Sequence, residues 1–322
     1  MNIRLPAEWE KQKSIMVVFP TNHKDWQHSL KKIQKSYVQF INTIRKFQKC
    51  IVVCNNPEIL NEYFDSFENI EIKNIQTNDT WIRDFGAIDV FIDDKIKSYN
   101  FKFNAWGNKF ESSLDNKFNT TYFKKNLLDI DFILEGGSID SNGEGTMLST
   151  SKCIFNANRN ITCNEFMIEE KIKNLFGLKK LIILKHGSII GDDTDSHIDT
   201  LARFINKDSI AYAKCYDKND IHFNELEKME KELQNTPFKL IPIPLPNPKT
   251  YKNRRLPATY LNFVFINNAL IVPTYNDEND EKVIEIFKRN IKNRKILSVD
   301  SSIFIREHGS LHCSCINQML QL

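Results

Sequence analysis

Glycine is scarce in this chain, ten residues in 322, and the segment after the first apolar run reads F-P-T-N-H-K. A doubly wound dinucleotide-binding sheet needs a glycine-rich phosphate loop at that point, so that architecture is excluded. Charge of one sign is also missing. Lys and Arg number 44 against 41 Asp and Glu, a formal net charge of +3, too balanced for a surface that tracks phosphates, and nucleic acid is not an expected partner. Long hydrophobic runs are absent. The first, residues 15–19, ends at Pro20, too short for the apolar core of an export signal, and no later run approaches the length of a membrane span. The expectation is a cytoplasmic protein with no membrane partner. Cysteine is sparse as well: seven residues, at positions 50, 54, 153, 163, 215, 313 and 315, odd in number and too dispersed for a disulfide framework, which fits reduced thiols.

What remains is ordinary globular material, 41% hydrophobic and 26% charged, with enough length for a large core. One pattern recurs about five times: apolar strand, short polar loop, amphipathic helix, second apolar strand. The clearest copy has strands at 15–19 and 51–54 around a helix over 26–47, with Ile33, Tyr37, Phe40, Ile41, Ile44 and Phe47 on one face. Another spans strand 270–274, helix 283–291 and strand 296–299. Three weaker copies lie between: strand 87–92 with a helix near 121–128 and strand 132–134; 146–155 with 164–176 and 181–184; and 210–215 with 220–233 and 240–243. Units of this kind bury their apolar faces against their neighbours, which predicts residues 1–322 to be a single α/β domain. Pro242, Pro244, Pro246 and Pro248 interleave with Ile241, Ile243 and Leu245 and read as an extended edge segment, with no domain boundary there.

The chemically loaded segments fall where units end. After the first comes N78-D-T-W-I-R-D84, after the second E135-G-G-S, after the third a dense run from Gly191 to Thr200, G-D-D-T-D-S-H-I-D-T, and after the fifth H308-G-S-L-H-C313-S-C315. Catalytic loops on a rigid scaffold have this distribution. The dense run puts four acids and one of only seven histidines into eight positions. If extended, it turns Asp193, Asp195, His197 and Asp199 to one face, suited to a cationic ligand; the bland alternative is a solvated acidic turn. Cys313 is the candidate nucleophile, effective only as a thiolate and so in need of a nearby cation or histidine, with His312 adjacent and His197 available through the fold. A buried small hydrophobe is the alternative for an isolated cysteine, and Cys315 competes for the role. H-C-S-C lacks the second cysteine pair of a structural zinc site. Glu135 precedes two glycines that allow a sharp turn or close backbone approach, and Arg83 with Asp84 can be a simple ion pair.

Taken together, these segments resemble the agmatine deiminase family, within the guanidine-modifying enzymes related to bacterial peptidyl-arginine deiminases. P6-A-E-W-E10 looks like the opening motif, N-D-T-W-I-R-D the second, E-G-G-S the third, T194-D-S-H-I-D199 the fourth, R255-L-P-A-T-Y-L-N-F263 with I271-V-P273 the fifth, and H312-C313 the nucleophile motif. The match runs nearly end to end. It departs where three glycines and an asparagine usually precede His-Cys, where the run after the cysteine is S-C-I-N-Q, and at Ser196, which replaces a glycine.

The resemblance implies a five-bladed α/β propeller of strand/helix/strand units around a pseudo-fivefold axis. It implies hydrolytic deimination of agmatine to N-carbamoylputrescine and ammonia through a covalent thiouronium on Cys313. His197 would act as acid and base, oriented by Glu135; Asp84 and Asp199 would hold the guanidinium; Trp81 would cover the aliphatic stem; and Asp193 would bind the distal amine. No metal or organic cofactor is implied. The expected partner is a small guanidine cation, with self-assembly into a homo-oligomer common among such enzymes. Arg83 and Arg255 stand as potential readers of a substrate carboxylate, which keeps free or peptidyl arginine as alternative substrates, and a non-catalytic guanidine-binding protein or a metal-binding module as alternative classes.

Overall fold

The computed structural model describes residues 2–321. Its five main sheets share one connectivity: a strand, an antiparallel neighbour, a helix, and a third strand parallel to the second. Parallel pairing requires a crossover, and the helix supplies it. Lys95–Lys102 and Leu127–Ile133 flank helix Ser113–Tyr122; Thr146–Thr150 and Lys180–Leu184 flank Glu165–Phe176; Ser209–Lys214 and Lys239–Pro244 flank Phe223–Gln234; Ala269–Thr274 and Lys295–Asp300 flank Asp280–Asn290. The remaining unit runs from Gln12–Val18 through helix Leu30–Ile44 to Lys49–Val53. Its antiparallel neighbour is Cys315–Met319, from the other end of the chain. The C-terminal end of the candidate nucleophile segment is thereby tied to the first sheet. Pro242 and Pro244 sit on an edge strand, Lys239–Pro244, where a missing N–H costs no ladder bond.

Helix Leu30–Ile44 buries Ile33, Tyr37, Phe40, Ile41 and Ile44, the face its periodicity predicts, while Phe47 is only partly covered. Tyr37 packs on Phe304 at 4.9 Å between ring centroids, so this helix supports the segment leading to the C-terminal motif. Truncating Ile41 to alanine at such a site costs about 2–5 kcal/mol. Three expectations move. The helix of the second unit is Ser113–Tyr122, with residues 127–128 already in strand Leu127–Ile133; that unit contains an unforeseen antiparallel strand, Lys95–Lys102; and the strand expected over 146–155 ends at Thr150, where the short helix Ser151–Ile154 begins. Helix Ser113–Tyr122 lacks an apolar stripe; what it buries is Asp115, Phe118 and Asn119. Asp115 Oδ1 accepts the Asn78 amide at 2.8 Å, and Asn119 accepts from Ala87 N at 3.0 Å and donates to the Phe85 carbonyl at 2.8 Å. A polar inward face holds the ends of the W-I-R-D loop in place. No helix among the described residues is long and apolar enough to cross a membrane.

Candidate active site

The last strand of every unit leads into a segment that reaches one shared centre. Cys313 is buried, 7% exposed. Its Sγ lies 3.2 Å from Asn262 Nδ2 and 3.8 Å from Asp199 Oδ2. Asn262 Oδ1 accepts the backbone amides of His312 at 2.8 Å and Cys313 at 3.2 Å, and its Nδ2 also donates to Asp199 Oδ2 at 3.2 Å. One amide therefore fixes thiol and carboxylate relative to each other. Burial first, and the Asp199 and Asp84 charges second, push the Cys313 thiol well above its ordinary value, which favours its protonated form.

His197 is 1% exposed and lies between two carboxylates, Nδ1 3.6 Å from Asp84 Oδ1 and Nε2 3.9 Å from Glu135 Oε2. Neither ring nitrogen reaches a hydrogen-bond partner among the described residues, and Asp199 Oδ1 is likewise unpartnered. Burial opposes its charge, but Asp84, then Cys153 and Glu135, outweigh that and raise the imidazole well above its ordinary value. Burial works against ionisation of Glu135 too, and His197 and Arg159 overcome it, holding that carboxyl below its usual range. Arg159 Nε sits 2.8 and 2.9 Å from the two Glu135 oxygens. Asp84 is pushed up to about 6 by burial, then by the nearby Asp199 and Glu135 charges, against His197 and the indole of Trp106. Its oxygens accept from Trp106 Nε1 and Gly137 N, both at 2.9 Å.

Gly137 makes this crowding feasible. A Cβ there would lie 2.6 Å from His197 Nδ1, 2.9 Å from Asp84 Oδ1 and 3.1 Å from Asp199 Oδ2. The second glycine of E-G-G-S is required by close approach of three buried side chains.

The dense acidic run is not extended. Asp192 accepts from Thr194 Oγ1 at 2.6 Å and Ser196 N at 2.8 Å, closing a turn in which Asp195 and Ser196 both have φ +68°, followed by a 3-10 turn at Ile198–Thr200. Its acids consequently point apart. Asp195 pairs with Arg159 at 2.8 Å and Lys109 at 3.0 Å, Asp199 meets the thiol, and Asp193 faces the cleft above. That cleft holds roughly 520 Å³ of empty space, part of it open to solvent, and is bounded by Trp81, Trp106 and Phe110, by Asp25, Asp79, Asp84, Asp193 and Glu307, and at its floor by Cys313. The Trp81 ring lies where a Cβ on Gly309 would be, 2.5 Å away, which explains the glycine retained in H-G-S-L.

Arg83 and Arg255 do not read the cleft. Arg83 donates to the His312 carbonyl at 3.2 Å and Asn317 Oδ1 at 2.8 Å, and Arg255 to Asp220 at 3.0 Å. Nor does the His312 imidazole reach the thiol; it faces Asp199 and Glu8. Cys315 is fully buried in its strand, near Arg83 Nη2 at 3.9 Å and the His312 carbonyl at 3.7 Å. Burial pushes it up to about 12. Of the sequence candidates, Cys313, His197, Glu135, Asp84 and Asp199 converge, and Trp81, Asp84, Asp193 and Cys313 line the cleft. Missed were Trp106, Arg159 and Cys153, and Asn262 was quoted inside a motif without a role. The signal for Trp106 was one of only four tryptophans standing beside a glycine. Glu135, Cys153 and His197 offer donor atoms within 4.8 Å of one another, but Arg159 already covers both Glu135 oxygens, a poor fit to a dication.

A buried cysteine and histidine among carboxylates, at the ends of repeated α/β units, suit a planar cationic guanidinium, and the chain is a member of a guanidine-modifying family. The chain belongs to the Porphyromonas-type peptidyl-arginine deiminase family, whose model matches residues 4–318. A substrate-bound agmatine deiminase of C. jejuni, with a cysteine replaced by serine, is 48% identical; the match covers 99% of this chain and 97% of that one, with a TM-score of 0.97. A structure from Porphyromonas gingivalis named "putative arginine deiminase" is 32% identical, covering 98% of each chain, with a TM-score of 0.93. A relative in Legionella pneumophila named "putative agmatine deiminase" is 29% identical over 96% of this chain and 92% of its own length.

Proposed function

We propose that the protein hydrolyses agmatine to N-carbamoylputrescine and ammonia through a covalent intermediate on Cys313, in a single domain whose five units form the blades of an α/β propeller. The observation that carries the choice of substrate is the cleft lining: five carboxyl groups with His308, and no Arg or Lys, among the described residues. Arginine would bring its own carboxylate into that field, whereas agmatine brings a second cation. The C. jejuni agmatine deiminase at 48% identity supports the same choice.

A guanidinium is planar with donors in a fixed fork. Asp84 and the free Asp199 Oδ1 would accept those donors, placing the central carbon over Cys313 Sγ. The arriving charge offsets the burial that keeps the thiol protonated. Sulfur attacks the carbon as the thiol proton passes to a substrate nitrogen, the tetrahedral adduct collapses to the thiouronium, and the departing ammonia takes the proton held by His197 and leaves as ammonium. Neutral imidazole then removes a proton from the incoming water, the C–S bond breaks, and the thiol and the imidazolium are restored. Glu135, fixed by Arg159, keeps His197 charged at the start of each cycle. Trp81 and Trp106 would flank the four-carbon stem, with Asp193 at the amine. These steps use no cofactor, and a cytoplasmic location is part of the same reading.

Ammonia release from purified protein supplied separately with agmatine, arginine, methylarginines and a peptide ending in arginine tests the proposal. Agmatine is expected to be the preferred substrate by orders of magnitude in kcat/KM. Turnover confined to arginine compounds overturns it.

A further inference from the structure

The opening motif P6-A-E-W-E10 has no part in the chemistry above, yet Glu8 is 12% exposed in its side chain and reaches the back of the site. Its Oε1 accepts the Phe265 amide at 2.7 Å; its Oε2 faces Arg203 Nη2 at 2.8 Å, His312 Nε2 at 2.6 Å and Arg83 Nη2 at 3.8 Å. His312 then presents Nδ1 to Asp199 Oδ2 at 2.7 Å. An imidazole with a carboxylate oxygen on each nitrogen satisfies both only by donating from both. Asp199 Oδ2 is thus committed to His312 and Asn262, and Oδ1 alone is left without a partner among the described residues.

We infer that His312, pinned from behind by Glu8, is a positioning residue that fixes which oxygen of Asp199 meets the guanidinium. The inference rests on the deiminase reading. It assigns the first motif of the chain to the substrate site through two hydrogen bonds, without contact to substrate. It also explains why histidine immediately precedes the nucleophile: successive residues face opposite sides of one layer, Cys313 into the cleft and His312 into a separate cavity of roughly 590 Å³ lined by Glu8, Arg83, Asp140 and Asn317. Burial tends to neutralise both carboxyls, and in each case the surrounding cations prevail: Arg203, His312 and Arg83 for Glu8, and His312, His197 and Arg203 for Asp199.

The test compares two alkylators of Cys313 in the full-length protein, followed by peptide mass mapping. Chloroacetamidine is a cationic amidine; sulfur displaces its chloride, and the thiol proton passes to buffer. Iodoacetamide reacts in the same sense without charge and reports thiol access alone. His312→Leu is expected to slow labelling by chloroacetamidine about tenfold or more relative to iodoacetamide, the loss of one charged hydrogen bond. His312→Asn, which keeps a donor near the Nδ1 position, should recover most of that ratio, and Glu8→Gln, which preserves the packing, should lower it a few-fold. An equal slowing of both probes, or an asparagine variant no better than leucine, overturns the inference in favour of a purely structural role. Should His312→Leu not fold, an unchanged ratio in Glu8→Gln overturns it. Wild-type protein that shows no preference for the cationic probe removes the guanidinium site itself, and this inference with it.

Discussion

The two sides of the layer formed by residues 83–84 and 312–313 are both largely buried and differ in how completely their polar groups are paired. On the rear side, Glu8, Asp140, Arg203 and His312 find partners at 2.6–3.0 Å. On the cleft side, both His197 nitrogens and Asp199 Oδ1 have none among the described residues. Buried charge matched within the protein sustains the fold, while buried polar atoms left open cost stability, a cost the proposed guanidinium would relieve. Across this one layer the difference marks the side that faces the candidate site, although Tyr37, Asn42 and Asp115 elsewhere in the fold also carry a buried atom without a partner.

The most severe way to break this contrast is at the thiols. Cys313→Ser should lower turnover by about 10⁴-fold or more, with unfolding free energy changed by less than about 1 kcal/mol, as read by ammonia release and urea denaturation. Cys315→Ser should keep turnover within a few-fold. The rear side should respond in reverse. Arg203→Met strands Glu8 and Asp140 and is expected to cost about 3–5 kcal/mol in urea denaturation; a loss under about 1 kcal/mol would erase the distinction between the two sides.

Smaller effects sharpen the map of the cleft. Asp193→Asn should raise KM for agmatine about 10- to 100-fold with little change in kcat, the weight of one charge-assisted bond. Asp84, pushed up to about 6 chiefly by burial, takes up a proton as pH falls through that value and loses the charge a guanidinium needs. KM should therefore climb below about pH 6, approaching tenfold per unit, in steady-state kinetics. Least of all, Ser196→Gly relieves a left-handed φ of +68° and should stabilise the protein by about 1 kcal/mol in thermal unfolding.

Much of this was legible from residue order. Five hydrophobic strand–helix–strand periods gave the units, because their apolar faces are local patterns, and the four chemically loaded segments fell visibly at unit ends. The helix at Ser113–Tyr122 was displaced because its inward residues, Asp115 and Asn119, are polar and serve as loop anchors. The alternation of Asp193, Asp195, His197 and Asp199 misled because Asp192 closes a turn that alternation cannot register. Asn262, Trp106 and Arg159 are single residues with no periodic signature, and their roles arise only when distant loops meet. Which of Arg83 and Asp84, or His312 and Cys313, faces the cleft is likewise set by tertiary packing.

The most direct measurement is intact and peptide mass spectrometry after rapid acid quench of the protein turning over agmatine. The account predicts an adduct equal to agmatine less ammonia, located on Cys313 and absent from Cys313→Ser. An adduct on Cys315, or ammonia released while Cys313 stays unmodified at every quench time and turnover persists in Cys313→Ser, would contradict it.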